Sequence, residues 1–117
     1  MKKLFIAAFM FVSTFTSNVF ADGHAIKMGI ILGFTGPIES LTPAMAASAE
    51  LAFKEASDSG SLLGGKKIEV VRADSTCVDS AAATAAAEGV IAQGVAAIMG
   101  ADCSGVTGAI ASNVAVP

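Results

Sequence analysis

The sequence predicts an α/β fold: a parallel sheet with helices on both faces, three layers in all. Three observations predict it. Residues 25–33 (AIKMGIILG) are almost continuously apolar, the pattern of a strand buried on both faces. Later strand-like runs alternate with stretches whose apolar residues recur at helical spacing. The resulting order, β-α-β-α-β-α-β, gives parallel strands joined by right-handed crossovers.

Residues 1–21 stand outside that pattern and read as a cleaved signal peptide. Lys2 and Lys3 make a basic start, residues 4–12 an apolar core, and Val19-Phe20-Ala21 a small-residue cleavage site. The apolar core is too short to span a membrane, and Ser13, Thr14, Thr16, Ser17 and Asn18 make the next stretch polar. Without Lys2 and Lys3 the remainder has 5 basic residues against 10 acidic ones, a net charge of −5. That balance argues against nucleic acid and anionic membrane as partners.

After the first strand, Phe34-Thr35-Gly36-Pro37 is a turn. Thr42 as N-cap and Pro43 at the first helical position open a helix. Its apolar face would be Met45, Ala49, Ala52, Phe53 and Ala56, with Glu50 and Lys54 paired four apart opposite. Ser57-Asp58-Ser59-Gly60 ends it, and Gly64-Gly65-Lys66-Lys67 turns into a second strand at 68–72. Asp79 is a good N-cap for an alanine-rich helix at 80–93, with Ala83, Ala87, Val90 and Ile91 on one face. Its small side chains would let it pack closely on a sheet. A third strand at 95–100, a third helix at 106–113 and a fourth strand beginning at Val114 complete the order. A chain that stops at Val114-Ala115-Val116-Pro117 leaves that strand unfinished, so residues 22–117 are expected to be a truncated part of a longer protein.

The turn Gly100-Ala101-Asp102-Cys103-Ser104-Gly105 carries the clearest chemistry. A strand that passes through it into a helix leaves backbone N–H groups unpaired at the helix start, where the dipole favours an anion. Ser104 adds a hydroxyl that can donate to a carboxylate and also cap the helix. The turn is therefore expected to grip the carboxylate of a small ligand. In parallel sheets ligands bind at the carboxyl ends of strands, so Thr35-Gly36-Pro37 and Cys103-Ser104-Gly105 should face one crevice.

Cys77 and Cys103, in an exported chain and in loops at one edge, are expected to form one disulfide; two free thiols or a metal pair are the alternatives, and metal needs more ligands than two cysteines. The spacing of Gly29, Gly33 and Gly36 does not make a dinucleotide-binding motif, and no phosphate-loop lysine comes after it. One histidine cannot supply a Ser-His-Asp or metalloprotease site. No cofactor and no resident metal is expected. After cleavage His24 would occupy the third position of Asp22-Gly23-His24, a set that can surround Cu(II), though a chance histidine in a frayed terminus is the commoner case. Asp74, Asp79 and Asp102 would serve catalysis as paired acids, or the fold as caps and loop charges, the commoner role. Phe34 either lines the ligand pocket or packs beneath its turn.

Taken as an ordered set, several stretches closely resemble the leucine/isoleucine/valine-binding proteins of bacterial ABC transporters. They are Ile26-Lys27-Met28-Gly29-Ile30 with Thr35-Gly36-Pro37, Ala49-Glu50-Leu51-Ala52-Phe53, Gly64-Gly65-Lys66-Lys67-Ile68, Asp74-Ser75-Thr76-Cys77 and Gly100-Ala101-Asp102-Cys103-Ser104. The resemblance covers essentially all of 25–117. It implies the type I periplasmic binding protein fold, of which this chain is part of the first lobe, and two lobes that close on an amino acid. It implies that Ser104 with nearby backbone N–H groups (Cys103, Gly105) holds the ligand's α-carboxylate, and that Cys77 and Cys103 form the family disulfide. Leu41 stands near where many members place a ligand-contacting aromatic, and Asp102 puts an acid beside the carboxylate pocket. The implied role is that of a non-enzymatic, periplasmic solute-binding protein, a monomer at full length, which delivers a branched-chain or similar amino acid to a membrane permease. Its rivals are an exported α/β enzyme using Asp74 or Asp102, and a ligand-sensing domain without transport.

Overall fold

The computed structural model describes residues 25–116. The signal peptide expected at 1–21 and the copper-binding possibility at His24 lie outside the described residues. Strand β1 spans Ile26–Leu32, helix α1 Thr42–Asp58, strand β2 Ile68–Asp74, helix α2 Ser80–Ala92, strand β3 Val95–Gly100 and helix α3 Ser104–Ile110. A 3-10 turn, Leu62–Gly65, leads into β2, and a π-helical turn, Ala111–Ala115, extends α3.

The three strands are parallel in the order β2-β1-β3. β1 pairs with β2 from Ile26 opposite Ile68 to Leu32 opposite Asp74. Against β3 the register slips by one residue between Lys27 and Met28, which face Val95 and Ala97. Alternation along β1 divides the core. Ile30 and Leu32 pack with Ala46 of α1 and with Phe34, Ala49, Phe53, Val70 and Met99. Ile31 points the other way, to Ala87 and Val90 of α2 and to Val71, Ala73, Val95, Ile98, Ile110 and Val114. Three layers result, with α1 on one face and α2 with α3 on the other. The first three residues of β1 are half-buried and Gly29–Leu32 are fully buried, so the two-sided burial expected of 25–33 holds for its second half.

α2 meets its expectation closely. The Asp79 carboxylate accepts from the N–H groups of Ala81 (2.9 Å) and Ala82 (3.0 Å), capping the helix. Ala83, Ala87 and Val90 are buried against the sheet. Ile91 is not part of that face and is 46% exposed.

α1 departs from its expectation in three ways. Leu41 is the N-cap residue, and Thr42 is buried inside the helix. The Thr42 hydroxyl donates to the Gly33 carbonyl (3.1 Å) instead of accepting from the helix start. Ala49 and Phe53 of the expected face pack on the core and Ala56 is half-buried, but Met45 and Ala52 face solvent and Ala46 supplies the fully buried contact in their place. Glu50 and Lys54 do not pair with each other. Glu50 accepts a two-pronged bond from Arg72 of β2 (2.5 and 2.8 Å), and Lys54 pairs with Asp58. The end of α1 is tied to β2 by Ser57, whose hydroxyl accepts from the Ile68 N–H (3.2 Å).

No fourth strand begins at Val114. That residue packs in the second core, and the helical path continues through the Val116 N–H to the Ala111 carbonyl (2.9 Å). Val114 answers the helical spacing from Ile110, which keeps it on the core face. Among the described residues no helix is long and apolar enough to cross a membrane.

Candidate functional site

In the order β2-β1-β3 the helix after β1 packs on one face of the sheet and the helix after β3 on the other, which puts the switch point at the carboxyl ends of those two neighbouring strands. Three turns meet at that edge: 33–41 after β1, 75–79 after β2 and 101–103 after β3.

Asp102 joins all three. Its carboxylate accepts from the Gly33 N–H (2.9 Å) and, at the limit of hydrogen-bond length, from the Ser75 hydroxyl (3.5 Å). Ser75 is fully buried, and its own N–H continues the ladder by donating to the Leu32 carbonyl (2.9 Å). Asp74 makes a second tie. It accepts from the Thr35 hydroxyl (2.6 Å), the Thr35 N–H (3.3 Å) and the Thr76 N–H (2.8 Å). Burial pushes the Asp74 carboxyl up, but the Thr35 hydroxyl and the Thr76, Thr35 and Phe34 N–H groups outweigh it and hold the pKa below the ordinary carboxylate value.

The second turn is held in an unusual backbone state. Thr76 and Cys77 have φ of 58° and 69°, in the left-handed region that a β-branched residue rarely enters. The Asp79 N–H donates to the Thr76 hydroxyl (3.1 Å), and Cys77 is fixed by its disulfide to Cys103. Gly36, with φ of 98°, lies so close that a Cβ there would overlap the Thr76 carbonyl oxygen. The expected disulfide is thus present, with Cα atoms 5.3 Å apart.

At the third turn Cys103 is the N-cap residue of α3 and contributes no side-chain cap, its sulfur being spent on Cys77. Ser104 is the first helical residue and not the cap expected of it. Ser104 and Gly105 are exposed, and Val106 beneath them is buried. The Thr107 hydroxyl donates to the carbonyls of Ala101 (3.0 Å) and Cys103 (2.9 Å), which closes the turn from inside. The start of α3 therefore presents N–H groups and one hydroxyl outward, an arrangement suited to an anionic group.

The sequence-predicted residues are distributed unevenly over this edge. Leu41, Ser104 and Gly105 all lie on it, exposed. Thr35 and Gly36 turn toward the loop after β2, and Gly33 is the residue that meets the loop after β3. Phe34 packs under its turn with Ile30, Leu32 and Ala46, and the Arg72 guanidinium lies 5.6 Å from its ring centre. Asp74, Asp79 and Asp102 all accept hydrogen bonds within the fold. Sequence reasoning missed the inward role of Asp102. No local pattern signals it, because its partner Gly33 lies 69 residues away along the chain.

A groove of about 390 Å³ lies elsewhere, on the α1 flank of β2, lined by Phe53, Ser57, Ile68 and Val70 with Glu50, Lys54 and Asp58 at its rim. Ile68 marks the amino end of β2, so this groove is remote from the switch point. Among the described residues no three His, Cys, Asp or Glu side chains gather as a metal site.

A family model described as periplasmic binding protein matches residues 25–116. Among solved structures, the chain is similar to the branched-chain amino acid transporter substrate binding protein LivJ from Streptococcus pneumoniae str. Canada MDR_19A, solved in complex with isoleucine. The two share 30% sequence identity with a TM-score of 0.69, over 79% of this chain and 26% of that one. The chain thus spans about a quarter of the length of that protein. No curated protein matches it.

Proposed function

The chain belongs to the periplasmic binding protein family, and from that premise we propose that it forms the beginning of the first lobe of an exported solute-binding protein. Residues 1–21 direct it across the inner membrane. The ligand is an amino acid, branched-chain or close to it, and the complete protein, a monomer, delivers it to the permease of an ABC transporter. Closure of two lobes on the ligand is a population shift driven by contacts to both.

The observation that carries this reading is the exposed start of α3 at the switch point, with Ser104 uncommitted to capping. There the Ser104 hydroxyl and the N–H groups of Cys103 to Gly105 would receive the α-carboxylate, with Leu41 at the margin of the ligand. The isoleucine held by the similar LivJ structure supports the choice of ligand class. Asp74 and Asp102 have their oxygens engaged by Gly33, Thr35, Ser75 and Thr76, which favours a structural role over acid–base catalysis.

Calorimetric titration of the full-length protein with L-isoleucine, L-leucine and L-valine tests the proposal. At least one should bind and be returned unchanged. Ser104→Ala should weaken that binding by about 1–3 kcal/mol, the loss of a hydrogen bond to a charged group. Unchanged affinity removes Ser104 from the site, and turnover of the amino acid moves the protein to the enzymes.

A further inference from the structure

The acid beside the carboxylate pocket needs a role of its own. A carboxylate next to a site for an anion is expected to repel it. Asp102 is half-buried and does not turn outward. Its oxygens take the Gly33 N–H at 2.9 Å and the Ser75 hydroxyl at 3.5 Å, so one side chain reaches from the turn after β3 to the turns after β1 and β2. Gly33 is in turn held through its carbonyl by the hydroxyl of Thr42, the buried first residue of α1. Asp102 is also two residues from Ser104, with only the disulfide-bonded Cys103 between them. The disulfide fixes that turn to the loop after β2 alone. Of these ties, only the Gly33 bond sets its position against the loop after β1, which ends at Leu41.

We infer that Asp102 is a positioning residue for ligand binding: by anchoring to Gly33 it sets where Ser104 and the first N–H groups of α3 stand relative to the turn after β1. The inference rests on the proposed amino-acid site and adds a residue to it. Asp102 touches no ligand atom. Its oxygens are turned to the Gly33 N–H and the Ser75 hydroxyl, on the inner side of the turn from the exposed Ser104. Geometry matters here because a hydrogen bond weakens as its distance and angle leave the preferred range.

The test uses the full-length protein and L-isoleucine, with L-leucine and L-valine alongside. Asp102→Ala should lower affinity about tenfold, and should do so much less in a Ser104→Ala background, because the effect travels through Ser104. Asp102→Asn keeps an oxygen for the Gly33 N–H and should retain most of the affinity. Asp102→Glu keeps the charge but displaces the oxygens by one methylene, and should bind as weakly as Asp102→Ala; it serves if the alanine variant does not fold. Three results would overturn the inference alone, given binding by the unsubstituted protein: unchanged affinity in Asp102→Ala or Asp102→Glu, equal losses with and without Ser104, or tighter binding by Asp102→Asn, which would mark Asp102 as a repelling charge. Absence of binding by the unsubstituted protein to all three amino acids overturns the proposed function, and this inference with it.

Discussion

Asp74 sits where the turns after β1 and β2 meet, and the donors around it decide its ionisation. Thr35 gives it a hydroxyl and an N–H, and Thr76 a second N–H. These interactions favour the charged form and lower its pKa against the opposing effect of burial. A carboxyl whose folded pKa is depressed contributes stability above its unfolded pKa, about 4, and loses it as pH falls through the folded value. Asp74→Asn should therefore destabilise the full-length protein by about 1 kcal/mol at neutral pH, the scale of a hydrogen-bonded charge at a part-exposed site. The deficit should begin to shrink below about pH 4, where the unfolded carboxyl takes up a proton before the native one does, and should vanish once pH falls below the depressed folded value. Urea unfolding of both proteins at the two pH values measures it, and an equal deficit at both would assign the loss to packing. The sequence showed Asp74 only as an acid in a loop. Its partner Thr35 is 39 residues away, a distance along the chain that no local pattern bridges. The same limit hid the roles of Thr42 and Ser75, both fully buried polar residues whose hydroxyls answer groups in other turns.

The elements were more legible than their contacts, and α2 shows why. Its cap, length and buried stripe all come from local chemistry: Asp79 before an alanine run, then small residues at helical spacing. In α1 the sequence places Ala49, Phe53 and Ala56 on the inner side correctly, but Met45 looks like core and Ala46 does not. The sheet approaches so closely that the small residue takes the buried position, and the longer one is left 42% exposed. Glu50 was assigned a partner on its own helix because spacing along a helix can be read from sequence, whereas Arg72 on β2 becomes its neighbour only once α1 is laid on the sheet. The parallel sheet and the alternation of layers were legible, since burial on both faces of β1 and the crossover order come from composition and period alone. The end of α3 was not: a β-branched run at Val114 reads as strand locally, and tertiary packing against the second core keeps it helical. For α2 the local account makes a direct prediction. Asp79→Ala should cost about 1 kcal/mol by freeing the Ala81 and Ala82 N–H groups, and Asp79→Ser should recover most of it. Thermal unfolding of the full-length variants would show this, and equal losses in both would mean that the cap is not what Asp79 contributes.

For the molecule as a whole, the carboxyl edge is the region where sheet pairing ends and other ties must take over. β1 and β2 keep their ladder to Leu32 and Asp74, and beyond it the turns are joined by Asp74, Asp102 and the bond between Cys77 and Cys103. Of these, only the disulfide is covalent, and it closes 26 residues that include the whole of α2 and β3. Tying those ends together restricts the unfolded chain, which in the chain-entropy model stabilises the fold by about 3–4 kcal/mol for a loop of this length. It also anchors Cys77, which with Thr76 lies in the left-handed region. Cys77→Ser with Cys103→Ser in the full-length protein should therefore lower stability in urea by about 3 kcal/mol, less any strain released as Thr76 relaxes. Adding Thr76→Gly to the disulfide-free protein separates the two contributions. Glycine enters that region freely, so if Thr76 still occupies it the exchange should recover part of the loss. If Thr76 has already relaxed, glycine should instead destabilise further, by widening the unfolded ensemble and removing the hydroxyl that answers the Asp79 N–H. A disulfide-free protein as stable as the parent would show that the carboxylate ties alone hold the edge.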